Sequence, residues 1–211
     1  MVKNTFLLYT ILAISLIVLS EAIKKLLNLD DLIYFYLSEK MSISQLENYL
    51  ELQENWKSIG LIILPLLILI KTTLIASVLH MGAFFFSKIK VTFNQLWNIV
   101  IKAEFIFVLV PIFKIVWFYI FQTNYTLEDI QYFFPLSALN IVGYKGLEPW
   151  LIYPFQILNL FELAYWLVLA YFIGKITETN MDRGLKIVAS SYGSALLLWV
   201  AVIMFFTLNY S

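Results

Sequence analysis

Three ionisable residues, Lys71, Lys114 and Glu162, stand inside long apolar stretches of the chain, and a second pair, His80 and Glu104, stands inside two of the same stretches. A charge at the centre of a membrane helix costs roughly 2.5 to 3.5 kcal/mol on insertion scales, so such groups are expected to pair or to serve an ion, proton or substrate site. Counted from the stretch ends assigned below to the cytoplasm, Lys71, Lys114 and Glu162 lie ~12 to 16 residues deep, about 18 to 24 Å at the helical rise. They are expected to share one layer, with Glu162 neutralising one or both lysines. His80 and Glu104 both lie about six residues from those ends and form a candidate inner polar pair.

The Lys/Glu layer admits two chemistries. As a buried ion pair it fixes the register of three helices while adding little net stability. As an open site it serves a proton relay or a permease-like transport step. The ion pair is the expectation, because a relay normally needs more than one carboxylate and a polar path to both surfaces. His80 is the single histidine and cysteine is absent, so no metal or cofactor site is expected. The run Ala189-Ser190-Ser191-Tyr192-Gly193-Ser194 places small residues four apart at Ala189/Gly193 and Ser190/Ser194, a pattern for close helix packing. Its serines lack a basic partner and a nucleophile-elbow context, and no phosphate-loop, zinc-protease or dinucleotide motif occurs. No enzyme is expected.

The elements that must position these residues are set by composition. Of the residues, 62% are hydrophobic and 13% charged, and the mean hydropathy is +0.85, values for which lipid is the expected solvent. The formal net charge of zero provides no field to attract nucleic acid. Apolar runs at about 6–23, 59–86, 99–121, 151–174 and 187–208 predict an all-α, single-domain membrane bundle of five transmembrane helices. The first run ends in Ser20-Glu21-Ala22, which has the look of a signal-peptide cleavage site, but its length suits a retained signal anchor. Pro65 and Pro111 fall inside the second and third runs and are expected kink positions.

Basic residues are retained preferentially on the cytoplasmic side. The connection between the second and third runs holds Lys88 and Lys90, and that between the fourth and fifth holds Lys175, Arg183 and Lys186. The other two connections are acidic, with Asp30, Asp31, Glu39, Glu47, Glu51 and Glu54 in one and Glu128, Asp129 and Glu148 in the other. This pattern places Met1 in the cytoplasm and Ser211 outside, against the opposing signal of Lys24 and Lys25. A bacterial inner membrane is the expected location. The first acidic connection contains Ser44-Gln45-Leu46-Glu47, read as a capping box opening a short external amphipathic helix over about 43–56. In the second, Thr126 is a candidate helix cap, and Gly143, Gly146 and Pro149 read as loop punctuation.

The order Thr92-Phe93-Asn94-Gln95-Leu96-Trp97, then Pro111, then Phe161, Trp166, Leu167, Leu169 and Gly174, then a short basic turn, Arg183 to Lys186, resembles the bacterial branch of the Yip-type membrane family. The resemblance spans about 61–206 and implies a five-helix bundle with a cytoplasmic start and an external end. It also implies action as a membrane organiser, with no catalytic residues to carry over. Rab binding is not implied, since the chain lacks the long N-terminal region of the eukaryotic members. The expected function is therefore a noncatalytic scaffold or accessory subunit of an envelope, export or motility assembly. Its expected partners are the bilayer and other membrane proteins or further copies of itself. The alternative is a permease-like subunit using the Lys/Glu layer.

Overall fold

Apolar runs broken only by prolines, glycines and capping residues fold here entirely as helices. The computed structural model describes residues 2–86 and 89–210; Met1, Ser87, Lys88 and Ser211, which include both termini and one basic residue of the orientation argument, lie outside the described residues. Among the described residues there is no strand, only one isolated antiparallel bridge between Ser137 and Asn159. Among the described residues three helices are long and apolar enough to cross a membrane, over Asn4–Leu26, Ile59–Phe86 and Met181–Asn209.

Helix α1 (Val2–Leu26) is followed by α2 (Leu29–Ser38), after a turn in which Asn28 takes the left-handed conformation that asparagine tolerates well. Helix α3 (Ile43–Phe86) has 44 residues. It corrects the expectation of a separate short helix over 43–56, because that stretch is the first part of the helix that also contains 59–86. Nothing at the junction stops a helix: Gly60 costs only about 1 kcal/mol relative to alanine, and no proline is present there. The cap also lies two residues earlier than Ser44. The Ser42 backbone N–H donates to Gln45 Oε1 at 3.0 Å, so the reciprocal partner is Gln45 and not Glu47.

The third and fourth expected spans are interrupted. Helix α4 (Phe93–Glu104) starts six residues before the predicted boundary at 99, set by Thr92, whose hydroxyl accepts from the Gln95 N–H while its own N–H donates to Gln95 Oε1. A 3-10 turn over Phe105–Val108 then leads into α5 (Leu109–Val116) and a π-turn over Trp117–Phe121. Pro111 accounts for the first change, since it has no N–H for the carbonyl four residues back and its ring crowds the turn before it. After α6 (Leu127–Tyr132) and α7 (Ala138–Val142), the span expected at 151–174 divides into α8 (Pro149–Ile157) and α9 (Leu160–Ile176). Helix α10 (Met181–Val188) passes through a π-turn over Ala189–Gly193 into α11 (Ser194–Tyr210). The segment Arg183 to Lys186 is thus helix and not a turn, capped by Asn180, whose side chain accepts from the Arg183 N–H at 3.0 Å.

The main core is one face each of α3, α4, α9 and α10. Ile75, Ala76, Leu79 and Ala83 of α3 meet Leu96, Val100 and Ala103 of α4, with Leu169 and Ile173 of α9 and Val188 of α10 closing the cluster. The α9 and α10 backbones are in close contact at Gly174 and Gly184, and a Cβ on Gly184 would overlap the Ala170 carbonyl oxygen. A smaller cluster of Leu27, Phe118 and Ile130 ties the end of α1 to the π-turn after α5 and to α6.

Helix α6 provides a pH-dependent element. Partial burial raises the Asp129 carboxyl, but the Thr126 N–H and hydroxyl at 2.9 Å and the Tyr144 hydroxyl at 2.9 Å outweigh it and hold its pKa below the ordinary 3.8. Tyr144 is pushed up to about 12 by burial and by its bond to Asp129, so it remains a donor throughout the neutral range. A depressed carboxyl pKa gives stability that is complete above the unfolded value and is lost as pH falls through the folded one. Thr126→Ala is expected to remove about 1 kcal/mol from this cap at neutral pH. Its effect should shrink in acid below 3.8, which amide hydrogen exchange across Leu127–Tyr132 would measure.

Candidate functional site

The interruptions of the two broken spans lie beside two buried carboxylates. Glu104 is the last residue of α4, before the 3-10 turn, and is 4% exposed. Glu162 occupies the third position of α9, directly after the break at Leu158–Asn159, and is 8% exposed.

Glu104 Oε2 accepts from Lys71 Nζ of α3 at 2.8 Å. The Lys71 ammonium also lies 4.4 Å from the centroid of the Phe107 ring, on the turn that follows Glu104. Glu104 Oε1 and the Tyr165 hydroxyl are both buried without a hydrogen-bond partner among the described residues, and the Glu104 charge acts on the Tyr165 hydroxyl.

Glu162 is held differently. Pro154 supplies no N–H, and the extended pair Leu158–Asn159 leaves the helix to bond the segment before α7: the Ala138 N–H donates to the Leu158 carbonyl at 2.8 Å, and the Leu160 N–H donates to the Leu136 carbonyl at 3.2 Å. Asn159 then starts a new helix, its side-chain oxygen accepting from the Glu162 N–H at 2.8 Å. A negative charge is favoured in this first turn by the helix dipole. The Trp166 indole N–H at 2.9 Å and the Tyr192 hydroxyl at 2.8 Å both donate to Glu162 Oε1. Tyr192 reaches it from the π-turn of Ala189–Gly193, a distortion that recurs at functional sites.

The layer expected from depth therefore takes another form. Lys71 meets Glu104 and not Glu162, although the charges of both Lys71 and Glu104 are felt at Glu162. Lys114 is half-buried on α5, and no hydrogen bond or ion pair engages it among the described residues. His80 meets the Val91 carbonyl through Nε2 at 3.1 Å and does not meet Glu104. Of the small-residue set, Gly193 is buried against Trp166, where a Cβ would lie 2.6 Å from Cη2, while Ala189, Ser190 and Ser194 are exposed. Gly82 of α3 also packs at this turn, against Ser191.

Glu162 lines a cavity of about 1160 Å³ bounded by α5, α6, α7, the α8–α9 break and α11. Small-molecule sites usually occupy ≈ 300–1,000 Å³ and are mostly apolar with a few placed polar groups. The polar groups here include Glu162, Asp129, Asn159 and Ser137. Ser137 is 2% exposed, and its hydroxyl has no hydrogen-bond partner among the described residues. Its neighbour Leu136 has φ 56, an uncommon conformation for a bulky residue, held where its carbonyl accepts the Leu160 N–H. The residues that sequence reasoning missed are Tyr192, Trp166, Asn159 and Ser137. The spacing of Asn159 and Glu162 is a helix-start signature that the surrounding apolar run concealed. No group of three or more histidine, cysteine, aspartate or glutamate side chains suited to a metal occurs among the described residues.

No protein-family model, curated protein or solved structure matches the chain.

Proposed function

We propose that this is a noncatalytic, permease-like subunit of a bacterial inner membrane that receives a small amphipathic molecule in the cavity at the break between α8 and α9. The proposed topology has five crossings: α1, α3, the α4–α5 composite, the α8–α9 composite and α10–α11. Its start is cytoplasmic and its end external. The charge distribution of the connections and the Yip-type sequence pattern support this arrangement.

The observation that carries the reading is the state of Glu162. Both of its protein donors converge on Oε1, and Oε2 accepts no hydrogen bond from the described residues. Oε2 is also not sealed inside the protein, and Glu162 is among the residues that line the cavity. Interrupted helices that present a polar group to a cavity are a recurring design for transport sites. The Lys71–Glu104 pair, by contrast, joins α3 to α4 and has the register role first expected of Glu162.

Transport is tested with the full chain in proteoliposomes, scoring flux of lipophilic ions. Glu162→Gln should reduce flux by about tenfold or more if Glu162 anchors the substrate. Equal flux in protein-free vesicles, or in the variant, overturns the reading. The scaffold alternative retains one specific observation: on the first part of α3, Ile43, Leu52 and Trp56 are 79%, 57% and 59% exposed. It requires site-specific crosslinks from Trp56 to a defined membrane partner in native membranes, and an uncrosslinked chain would count against it.

A further inference from the structure

The chemical class of the occupant follows from how charge is distributed around the cavity, an inference that rests on the binding reading above. Asp129 and Glu162 both line it, and no lysine, arginine or histidine does so among the described residues. Lys114 of α5 engages no ion pair among the described residues but does not line the cavity, and the two cations whose charges act on its carboxylates are committed. Lys71 is bonded to Glu104 at 2.8 Å, and Lys145 stands beside the Tyr144 ring, where its charge acts on Asp129. Asp129 is itself satisfied, with Oδ2 accepting from Thr126 and Oδ1 from Tyr144. Glu162 is left as the carboxylate with an open oxygen and no cation bonded to it.

The wall of the cavity is apolar and in part aromatic. Trp166 and Tyr192 hold Glu162, and Phe113, Trp117, Tyr132, Phe133 and Trp166 are among the residues that line the cavity. Aromatic faces attract cations by about 0.5 to 2 kcal/mol each, more strongly when water is excluded. An anion entering the same space would meet two carboxylates and no counter-charge. A desolvated carboxylate gains most from a cation that restores the solvation it has lost.

The geometry points to an organic cation with an apolar body, such as an alkyl or aryl ammonium or phosphonium, as the molecule this cavity binds, with the charge placed at Glu162 Oε2 and the body against the aromatic wall. Anionic amphiphiles are excluded by the same groups.

The test uses the full chain in phosphatidylcholine nanodiscs, with empty nanodiscs as the blank. The probes are tetraphenylphosphonium and tetraphenylborate, which share shape and apolar area and differ in sign. Saturable binding of the cation above the blank is expected, with no saturable binding of the anion. Glu162→Gln should weaken cation binding by about tenfold or more, the factor equivalent to ~1.4 kcal/mol. Because that variant removes a buried group, Asn140→Lys provides a second measure. Asn140 is exposed and lines the cavity, so the change adds an ammonium there while leaving the core intact. It should weaken the cation and admit the anion. Anion binding to the wild type as tight as cation binding would overturn the assigned class while leaving the cavity a binding site. Binding of neither probe would overturn both the class and the binding reading.

Discussion

Gly184→Ala is expected to destabilise the protein by about 3 kcal/mol or more, near the upper end of what overpacking costs. The added methyl would overlap the Ala170 carbonyl oxygen and lie 2.9 Å from the Gly174 amide nitrogen. These are backbone atoms of α9, which no change of rotamer can move aside. Gly174 faces a matching constraint, since its Cβ would lie 2.8 Å from the Asn180 carbonyl oxygen. The two glycines thus let α9 and α10 approach closely, and through α9 they set the position of Glu162. Gly60→Ala should change stability in the opposite direction. Gly60 is inside α3 with nothing within 4 Å of a new Cβ, so alanine's better helix propensity adds about 0.5 to 1 kcal/mol. Thermal unfolding of both variants in one detergent gives the comparison. Equal effects would show that the close crossing of α9 and α10 is absent.

The second large effect is expected at Lys71. Removing one partner of a buried ion pair typically costs 3 to about 5 kcal/mol, because the remaining charge is left uncompensated. Lys71 lies in the part of α3 proposed to cross the membrane, where its 47% exposure is not exposure to bulk water, so Lys71→Met should cost about 3 kcal/mol. Glu104, at 4% exposure, carries the penalty. Adding Glu104→Gln should recover much of the stability, since an amide can be buried with a smaller electrostatic cost than an orphaned carboxylate. A double-mutant cycle is expected to show coupling of about 1 kcal/mol or more. Additive effects would mean that the two side chains do not act as a pair.

Much of the helical organisation was legible because its signals are local. Thr126 caps α6 with a partner three residues on, a choice that follows from the geometry of a hydroxyl reaching an early helical N–H. The apolar lengths of α1, the later part of α3 and the α10–α11 segment were also legible, because solvent preference is additive along a chain. The polar layer was misread through its register. Depth was counted from residue 99, whereas α4 begins at Phe93, which carries Glu104 about one and two-thirds turns farther into its helix, where it meets Lys71. The break before Glu162 was hidden for another reason. Leu158 and Leu160 keep the run apolar, and the backbone groups freed at the interruption are satisfied by Leu136 and Ala138, twenty or more residues earlier. Tyr192 could not be assigned to Glu162 from a regular helical period, because the π-turn over Ala189–Gly193 changes its direction.

The central claim is that Glu162 presents an oxygen to a cavity while Glu104 is sealed against Lys71. Dicyclohexylcarbodiimide, an apolar reagent that modifies carboxyl groups away from bulk water, distinguishes the two by peptide mass mapping of the labelled chain in nanodiscs. An adduct is predicted on Glu162, suppressed by tetraphenylphosphonium, with none on Glu104. Labelling of Glu104, or a Glu162 that remains unmodified while the protein is folded, would contradict the account.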